Sequence, residues 1–353
     1  MKEEALEIKA FDPSTASEAE LAAFTSFDNE MLSESRPDEA PRSLTEIRQE
    51  LTSIPAFIKL AAWGVWRGPK LVAEGHVTTW QAEDNRHLAE VHLAVLPEFR
   101  RRGLATELLA YLAREAVTQQ RRLLIGTTDS FVPAGEAFAA RLGAEPALAM
   151  RISKLEIADV DRELMRRWIR RAQERAGDFE LEFWEGAYPE TEYEAIADMK
   201  TVMNTAPRDE LEVEDVHWTP AQLHDLEASL RARGITRWTL VARQRQDGAI
   251  AGYTDVYWDP RHPGRLDQGD TGVFPAFRNR GLGRWLKAAM MMRILADLPQ
   301  VERMYTGNAH SNAPMLAINE EMGFSPYKTR TNWQVAADRV GDYLEHRAGR
   351  MPG

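Results

Sequence analysis

Thr271-Gly-Val-Phe-Pro-Ala-Phe-Arg-Asn-Arg-Gly-Leu-Gly-Arg284 is the stretch that decides how this chain folds. An apolar extended run, Thr271 to Phe274, enters the six residues Arg278-Asn279-Arg280-Gly281-Leu282-Gly283, and a helix-forming run from Trp285 to Leu295 follows. The order is strand, glycine-rich turn, helix. Backbone N–H groups in the first turn of a helix have no intrahelical partner, and the aligned peptide dipoles add partial positive charge there, so an anion such as a diphosphate is a natural ligand. Gly281 and Gly283 would let backbone approach it, with Arg278, Arg280 and Arg284 nearby. The plain alternative is a tight turn with a solvated basic edge. No Gly-Lys-Ser/Thr follows, which excludes a Walker loop, and Leu286 stands where a dinucleotide fingerprint needs a small residue.

The pattern occurs twice. Arg100-Arg101-Arg102-Gly103-Leu104-Ala105 follows Leu93-Ala94-Val95-Leu96-Pro97 and precedes a second helix-forming run. Val95 pairs with Val273, Pro97 with Pro275, Phe99 with Phe277, Arg100 with Arg278 and Gly103 with Gly281, at a constant offset of 178 residues. A constant offset with matching flanks indicates two copies of one domain.

Here the sequence resembles a known family. Arg-x-x-Gly-x-Gly/Ala after Val-x-Pro is similar to motif A of the GNAT superfamily of acetyl-CoA-dependent N-acetyltransferases, and Asn312-Ala-Pro-Met-Leu-Ala-Ile-Asn319-Glu-Glu-Met-Gly323-Phe324 is similar to its motif B. The two-copy layout resembles that of mycothiol synthase and other tandem GNAT proteins of bacteria. The resemblance implies a mixed α/β, α+β-like fold: two GNAT-type domains in tandem, each a twisted mixed sheet flanked by helices. The expected divisions are a first domain over 1–157, a connector helix over 158–177, a second domain over 178–335 and a C-terminal helix or tail over 336–353.

Composition narrows the partners. With 353 residues the chain suits two cores, and 44 Lys and Arg against 55 Asp and Glu give a net charge of −11. An acidic surface argues against a nucleic-acid or anionic-membrane partner and suits an amine-bearing small molecule. There is no cysteine, which excludes disulfides, zinc–thiolate sites and a cysteine nucleophile. His217 and His224 lack metal-ligand spacing, so no metal is expected. Met1-Lys-Glu-Glu lacks a signal-peptide core and no apolar run approaches 18 residues, so a cytoplasmic monomer or homodimer is expected.

Taken in order, Ala5 to Phe11 alternates as a strand, Ser17 and Ser43 cap two helices, and residues 57–66 and 70–80 read as a hairpin turned at Arg67-Gly68-Pro69. Leu88 to Val95 is the next strand, with Glu90 and His92 on one face. A strand from Arg122, a helix from Ala134 to Gly143 and a strand from Ala147 to Ile157 close the first copy. Asp159 to Ala176 reads as an amphipathic connector whose arginines form a solvated face or an anion site. The second copy repeats the pattern, with Thr219-Pro220 opening a helix and Asp247-Gly248 turning a hairpin. Ala336 to Arg347 reads as a helix.

The resemblance implies that acetyl-CoA lies between splayed fourth and fifth strands, its pantetheine arm on the fourth strand's backbone. The contacts it implies involve Val273, Arg278, Asn279, Arg280, Gly281, Leu282, Gly283, Arg284, Asn308, Asn312 and Asn319 in the second copy. In the first they involve Val95, Arg100, Arg101, Arg102, Gly103, Leu104 and Ala105. Asn308 and Asn312 read equally as helix-capping residues. Direct transfer needs a held thioester, a deprotonated amine and a proton acceptor, which in the family is often a carboxylate of the fourth strand. That position is Glu90 in the first copy. The constant offset lands on Gln268 in the second, with Asp270 two residues on and expected on the same face. Asp270 is the candidate base, the alternative being a salt bridge or capping carboxylate; His92 reads as a core or cleft residue. Tyr commonly stands where Asn319 does and protonates the leaving thiolate, so Tyr305, Tyr327 or solvent is left to donate. Trp184, Tyr188, Tyr253, Tyr257 and Trp258 either line an acceptor pocket or fill the core. Val132 and Ala139 replace the two motif B asparagines in the first copy, which favours chemistry in the second. The competing class is a non-catalytic acyl-CoA-binding protein.

Overall fold

The computed structural model describes residues 5–348; residues 1–4 and 349–353, the ends of the expected first domain and of the tail, lie outside the described residues. The chain forms two units: Met1–Ala149 with Asp209–Glu214 and Thr329–Gly353, and Met150–Arg208 with Asp215–Lys328.

In the first unit, β1 (Leu6–Phe11), α1 (Glu18–Ser35) and α2 (Leu44–Thr52) are followed by β2 (Ile58–Arg67), β3 (Lys70–Trp80) and β4 (Leu88–Val95). Ser17 with Glu20, and Ser43 with Glu46, make reciprocal capping boxes that satisfy the first N–H groups of α1 and α2. β1 to β4 pair antiparallel in sequence order. α3 (Leu104–Thr118), β5 (Leu123–Asp129) and α4 (Pro133–Leu142) follow, with β5 parallel to β4 only over Leu88–Val91. Leu108, Leu109 and Leu112 of α3 are fully buried against this sheet. At about 1.5–3 kcal/mol per fully buried aliphatic side chain, that face alone fixes the helix on the strands.

Of the next strand, β6 (Glu145–Glu156), the part Met150–Glu156 belongs to the second unit and runs antiparallel to another strand of that unit. Alternation locates a strand but carries no information about a partner far along the chain.

In the second unit, α5 (Arg162–Arg175), β7 (Phe179–Glu185), α6 (Tyr193–Lys200) and α7 (Pro220–Ala232) precede β8 (Thr236–Gln244), β9 (Ile250–Trp258) and β10 (Arg265–Val273). α8 (Leu282–Asp297), β11 (Arg303–Ala309) and α9 (Ala313–Met322) complete it. β7 to β10 are antiparallel, β10 and β11 parallel, and β11 pairs with β6. The expected connector helix buries Met165, Trp168 and Ala172 in the same cluster as Leu282, Leu286 and Met290 of α8, so its apolar face belongs to this core.

The last strand, β12 (Ser325–Ala336), pairs with β5 over Arg330–Ala336, and α10 (Ala337–Ala348) buries Val340 beside Leu109 and Ala113 of the first unit. Residues 209–214 belong there too. The Glu212 N–H donates to Gln334 Oε1 at 3.0 Å, and Asn85 and Glu214 exchange bonds of 2.6 and 2.8 Å. No helix among the described residues is long and apolar enough to cross a membrane.

Candidate active site

β10 is where the regular ladder fails. Gln268 lies opposite Val256 and Thr271 opposite Thr254, so two residues of β10, Gly269 and Asp270, face one position of β9. This is a β-bulge, which breaks the alternation of the strand. Gln268 turns to one face, donating to Thr254 Oγ1 at 3.0 Å and accepting from Lys287 Nζ of α8 at 3.0 Å. Asp270 turns to the other, accepting from Tyr253 OH at 2.7 Å and Lys200 Nζ at 3.1 Å. The expectation that the two share a face is therefore corrected: the extra residue reverses every side chain on one side of it.

The same insertion corrects the correspondence with the first unit. Glu90 lies opposite Thr78 and beside Ile125, while Asp267 lies opposite Tyr257 and beside Tyr305. Strand pairing thus aligns Glu90 with Asp267 instead of Gln268, because the offset of 178 holds only after the bulge. Asp267 is engaged by Arg265 at 2.7 Å.

β10 and β11 pair over Arg265–Asp267 with Arg303–Tyr305 and then separate. Beyond Asp267 that edge of β10 offers backbone groups to an extended ligand, which could bind as an added strand does. The bulge sits at the mouth of this opening.

A buried charge network holds Asp270 there. Lys200 closes α6 with 6% of its side chain exposed and binds Asp255 Oδ2 and Asp270 Oδ2, both at 3.1 Å. Asp255 is wholly buried; its Oδ1 accepts the Asp270 backbone N–H at 2.6 Å. Gly269 is required between them, since a Cβ there would overlap Asp255 Oδ1 and come within 2.6 Å of Tyr257 Cε2. Burial works to raise the Asp270 carboxyl, but Lys200 and the Tyr253 hydroxyl outweigh it and hold it below the usual carboxylate value. Burial raises Asp255 against the opposing pull of Lys200. Burial pushes Tyr253 and Tyr257 well above their ordinary value, so both remain neutral hydrogen-bond donors. One lysine between two aspartates leaves a net negative charge, and the Asp270 side chain is 38% exposed, so the site can receive a cation. On the opposite face Lys287 is buried and its ammonium is pushed down to about 7 by that burial.

The glycine-rich turn that follows repeats its counterpart in backbone conformation. Arg101 and Asn279 have φ of 66° and 64°, Gly103 and Gly281 of 91° and 88°. Neither α3 nor α8 has a side-chain cap, so the first-turn N–H groups stay available for an anion. A Cβ at Gly281 would meet nothing within 4 Å, which leaves room for a diphosphate. Five of the basic side chains are engaged within the protein. Arg278 Nε donates to Val273 O at 2.9 Å, as Arg100 Nε does to Val95 O at 3.0 Å. Arg278 also reaches Thr205, and Arg100 makes a bidentate pair with Glu34. Arg280 pairs with Asp178, Arg284 with Glu321, and Arg102 donates to Glu98 O. Leu104 and Leu282 are buried, and Ala105 occupies the place of Gly283, so what these turns present to a ligand is chiefly backbone. α8 has no acidic residue in its first turn; α3 has Glu107 there.

Asn312 caps α9, accepting the Met315 N–H at 3.4 Å. Asn319 is fully buried; its Nδ2 donates to Asn308 Oδ1 at 2.7 Å while its Oδ1 has no partner. An unsatisfied buried acceptor costs about 1–3 kcal/mol, which a donor from a bound cofactor would recover. That orphan atom, the open space at Gly281 and the uncapped helix fit acetyl-CoA. Tyr327 meets Tyr305 edge-on at 5.6 Å, with Lys154 5.4 Å from the Tyr327 ring. Tyr188, Tyr253 and Trp184 are buried in one cluster with Tyr193. Sequence reasoning missed Lys200, Asp255, Asp267 and Lys287; Gly269 inside a strand run was the available signal for a bulge.

Residues 23–144 match the model of the acetyltransferase (GNAT) family. Among curated proteins none matches. A solved structure described as a tandem GNAT protein from the clavulanic acid biosynthesis pathway is similar over 94% of this chain and 99% of its own, with 23% identity and a TM-score of 0.76. A GCN5-related N-acetyltransferase from Sphaerobacter thermophilus is similar over 94% of this chain and 96% of its own, with 13% identity and a TM-score of 0.61. At these identities the likeness establishes the fold.

Proposed function

We propose that this chain is a tandem GNAT acetyltransferase that acetylates the amine of a small molecule in its second unit, a reading supported by the family match over residues 23–144 and by the likeness of fold. The observation that carries this reading is the bulge of β10, which delivers a carboxylate to the point where β10 leaves β11.

Acetyl-CoA would set its diphosphate on the first turn of α8 and its pantetheine along the free edge of β10, with Asn319 Oδ1 taking a donor from it. The acceptor amine would approach Asp270, whose charge favours an ammonium nearby. Asp270, directly or through a water, takes the proton, and the free amine attacks the thioester carbonyl. The leaving thiolate is protonated by Tyr327 or solvent. A protein acting only as an acyl-CoA binder is the competing outcome.

The test is release of CoA thiol from acetyl-CoA against a panel of spermidine, glucosamine, an aminoglycoside and amino acids. Amine-dependent release supports the reading. Saturable CoA binding with no release on any acceptor overturns it.

A further inference from the structure

The first unit carries a second cluster of acid–base groups, in the strands equivalent to β9 and β10, that the reading above does not use. Glu74 and His76 lie on one face of β3, and His92 and Glu90 on the same face of β4, with His76 directly opposite His92. The Glu74 side chain is only 5% exposed, yet its Oε1 is 2.7 Å from His76 Nδ1 and its Oε2 3.8 Å from His92 Nε2. The two imidazoles stack with centroids 4.9 Å apart at 21°. His76 is about one-third exposed and His92 about half.

A carboxylate this deeply buried acts as an acceptor and selects the tautomer of the imidazole that meets it. With the proton on Nδ1, His76 presents Nε2 as a lone pair. Burial favours protonation of Glu74, but His76 and His92 outweigh it and keep the carboxyl below its usual value. Burial works to lower His76, but Glu74 outweighs it and holds the imidazole above its ordinary 6.5. The other charges facing the pair are Glu90, which is exposed, and, from α1, Asp28, which Arg42 engages at 3.2 Å. An imidazole held above its ordinary value is the stronger base, and is better matched to an amine than a carboxylate held below its own, as Asp270 is.

Other parts of a transfer site recur in this unit. The turn at 100–105 repeats the conformation of the turn at 278–283, α3 is uncapped, β4 leaves β5 after Val91, and the family model covers these residues. Glu107 in the first turn of α3 disfavours an anion there, and Val132 and Ala139 stand in place of the second unit's asparagines; none of the three lies on β3 or β4.

We infer that the first unit is a second acetyl-transfer centre, taking a primary amine, in which His76 is the proton acceptor and Glu74 positions it. The acceptor nitrogen attacks the thioester carbonyl carbon; the C–N bond forms and the C–S bond breaks. The nitrogen's proton passes to His76 Nε2, and the imidazolium returns it to the departing thiolate, giving amide and CoA thiol. This rests on acyl transfer to an amine and adds a centre that the proposed function lacks.

The test uses the full chain in the Asp270→Asn background with acetyl-CoA and the same amine panel. The expected result is a residual rate that declines at acid pH as a histidine titrates, and that His76→Gln lowers by about 10²-fold or more with little change in KM for acetyl-CoA. Because Glu74→Gln could unsettle the fold, nitrogen-15 histidine NMR of the wild-type chain supplies a readout independent of turnover, and should show His76 as the Nδ1–H tautomer. An Nε2–H tautomer, or a residual rate indifferent to His76→Gln, overturns the inference. So does complete loss of turnover in Asp270→Asn, an outcome that leaves the proposed function standing. Full turnover in Asp270→Asn with loss in His76→Gln does the reverse: it supports this centre and overturns chemistry in the second unit.

Discussion

Asp255 on β9 holds Asp270 on β10 through main chain and side chain at once: its Oδ1 accepts the Asp270 N–H at 2.6 Å, and its Oδ2 shares Lys200 with the Asp270 carboxylate. A bulge leaves an N–H outside the ladder, and here a buried carboxylate takes it, so charge and backbone geometry are set by the same residue.

Gly269→Ala is the direct probe of that arrangement. The new Cβ would overlap Asp255 Oδ1 and come within 2.6 Å of Tyr257 Cε2, so these packed side chains would have to shift. Overpacking of this kind costs about 1–3 kcal/mol, lowering Tm by roughly 2–4 °C per kcal/mol for a unit of this size. Calorimetry should show that drop together with a loss of turnover; an unchanged Tm with full activity would mean that the bulge is not constrained by Asp255.

The two glycine-rich turns should differ in affinity. Gly281→Glu puts a carboxylate where a diphosphate would bind, at φ of 88°. Titration calorimetry with CoA should lose the tighter site in Gly281→Glu and only the weaker one, already opposed by Glu107, in Gly103→Glu. Loss of all binding in Gly103→Glu would reverse the ranking of the two units.

How far the sequence disclosed this molecule depends on the range of the interaction. Capping at Ser17, Ser43 and Thr219, the span of β4 and the duplicated turns are local and were legible, because each is a chemical choice made within a few residues. The partners of β6 and β12 were not, since pairing between distant segments leaves no mark on periodicity. The bulge hid inside an offset that is constant only beyond Thr271, and so Asp267 was passed over. Lys200, Asp255 and Lys287 carry no sequence signal of burial; only the fold reveals that they are buried.

Lys287 gives the stability of the second unit a pH dependence. Its ordinary value is 10.5 and burial lowers it to about 7 in the folded chain. Between those values the unfolded state binds the extra proton, so stability rises with pH across that window and is lost as pH falls toward 7, by up to about 5 kcal/mol at 1.36 kcal/mol per pH unit. Denaturant unfolding at pH 7 and pH 9.5 should show the wild type more stable at the higher value, and Lys287→Met should flatten the difference. An equal slope in the variant would exclude Lys287 as its source.

Asp270→Asn tests the chemistry itself. The change keeps shape and hydrogen-bonding capacity for Lys200 and Tyr253 while removing basicity. Because Lys200 and Tyr253 hold the carboxyl below its ordinary 3.8, Asp270 stays ionised through the neutral range, and its own acid limb must fall below the usual carboxylate range. The same depression makes it a weak base, so its contribution should sit near the low end of general-base effects, about 10²-fold, or about 2.7 kcal/mol of barrier. Turnover by the second unit should drop by that factor while the CoA dissociation constant holds, since the turn at 278–284 is untouched. Glu90→Gln should change this rate little. A limb near pH 6–7 in the wild-type profile that survives in Asp270→Asn belongs to another group, and wild-type turnover in Asp270→Asn with activity lost in Glu90→Gln would move the active centre to the first unit.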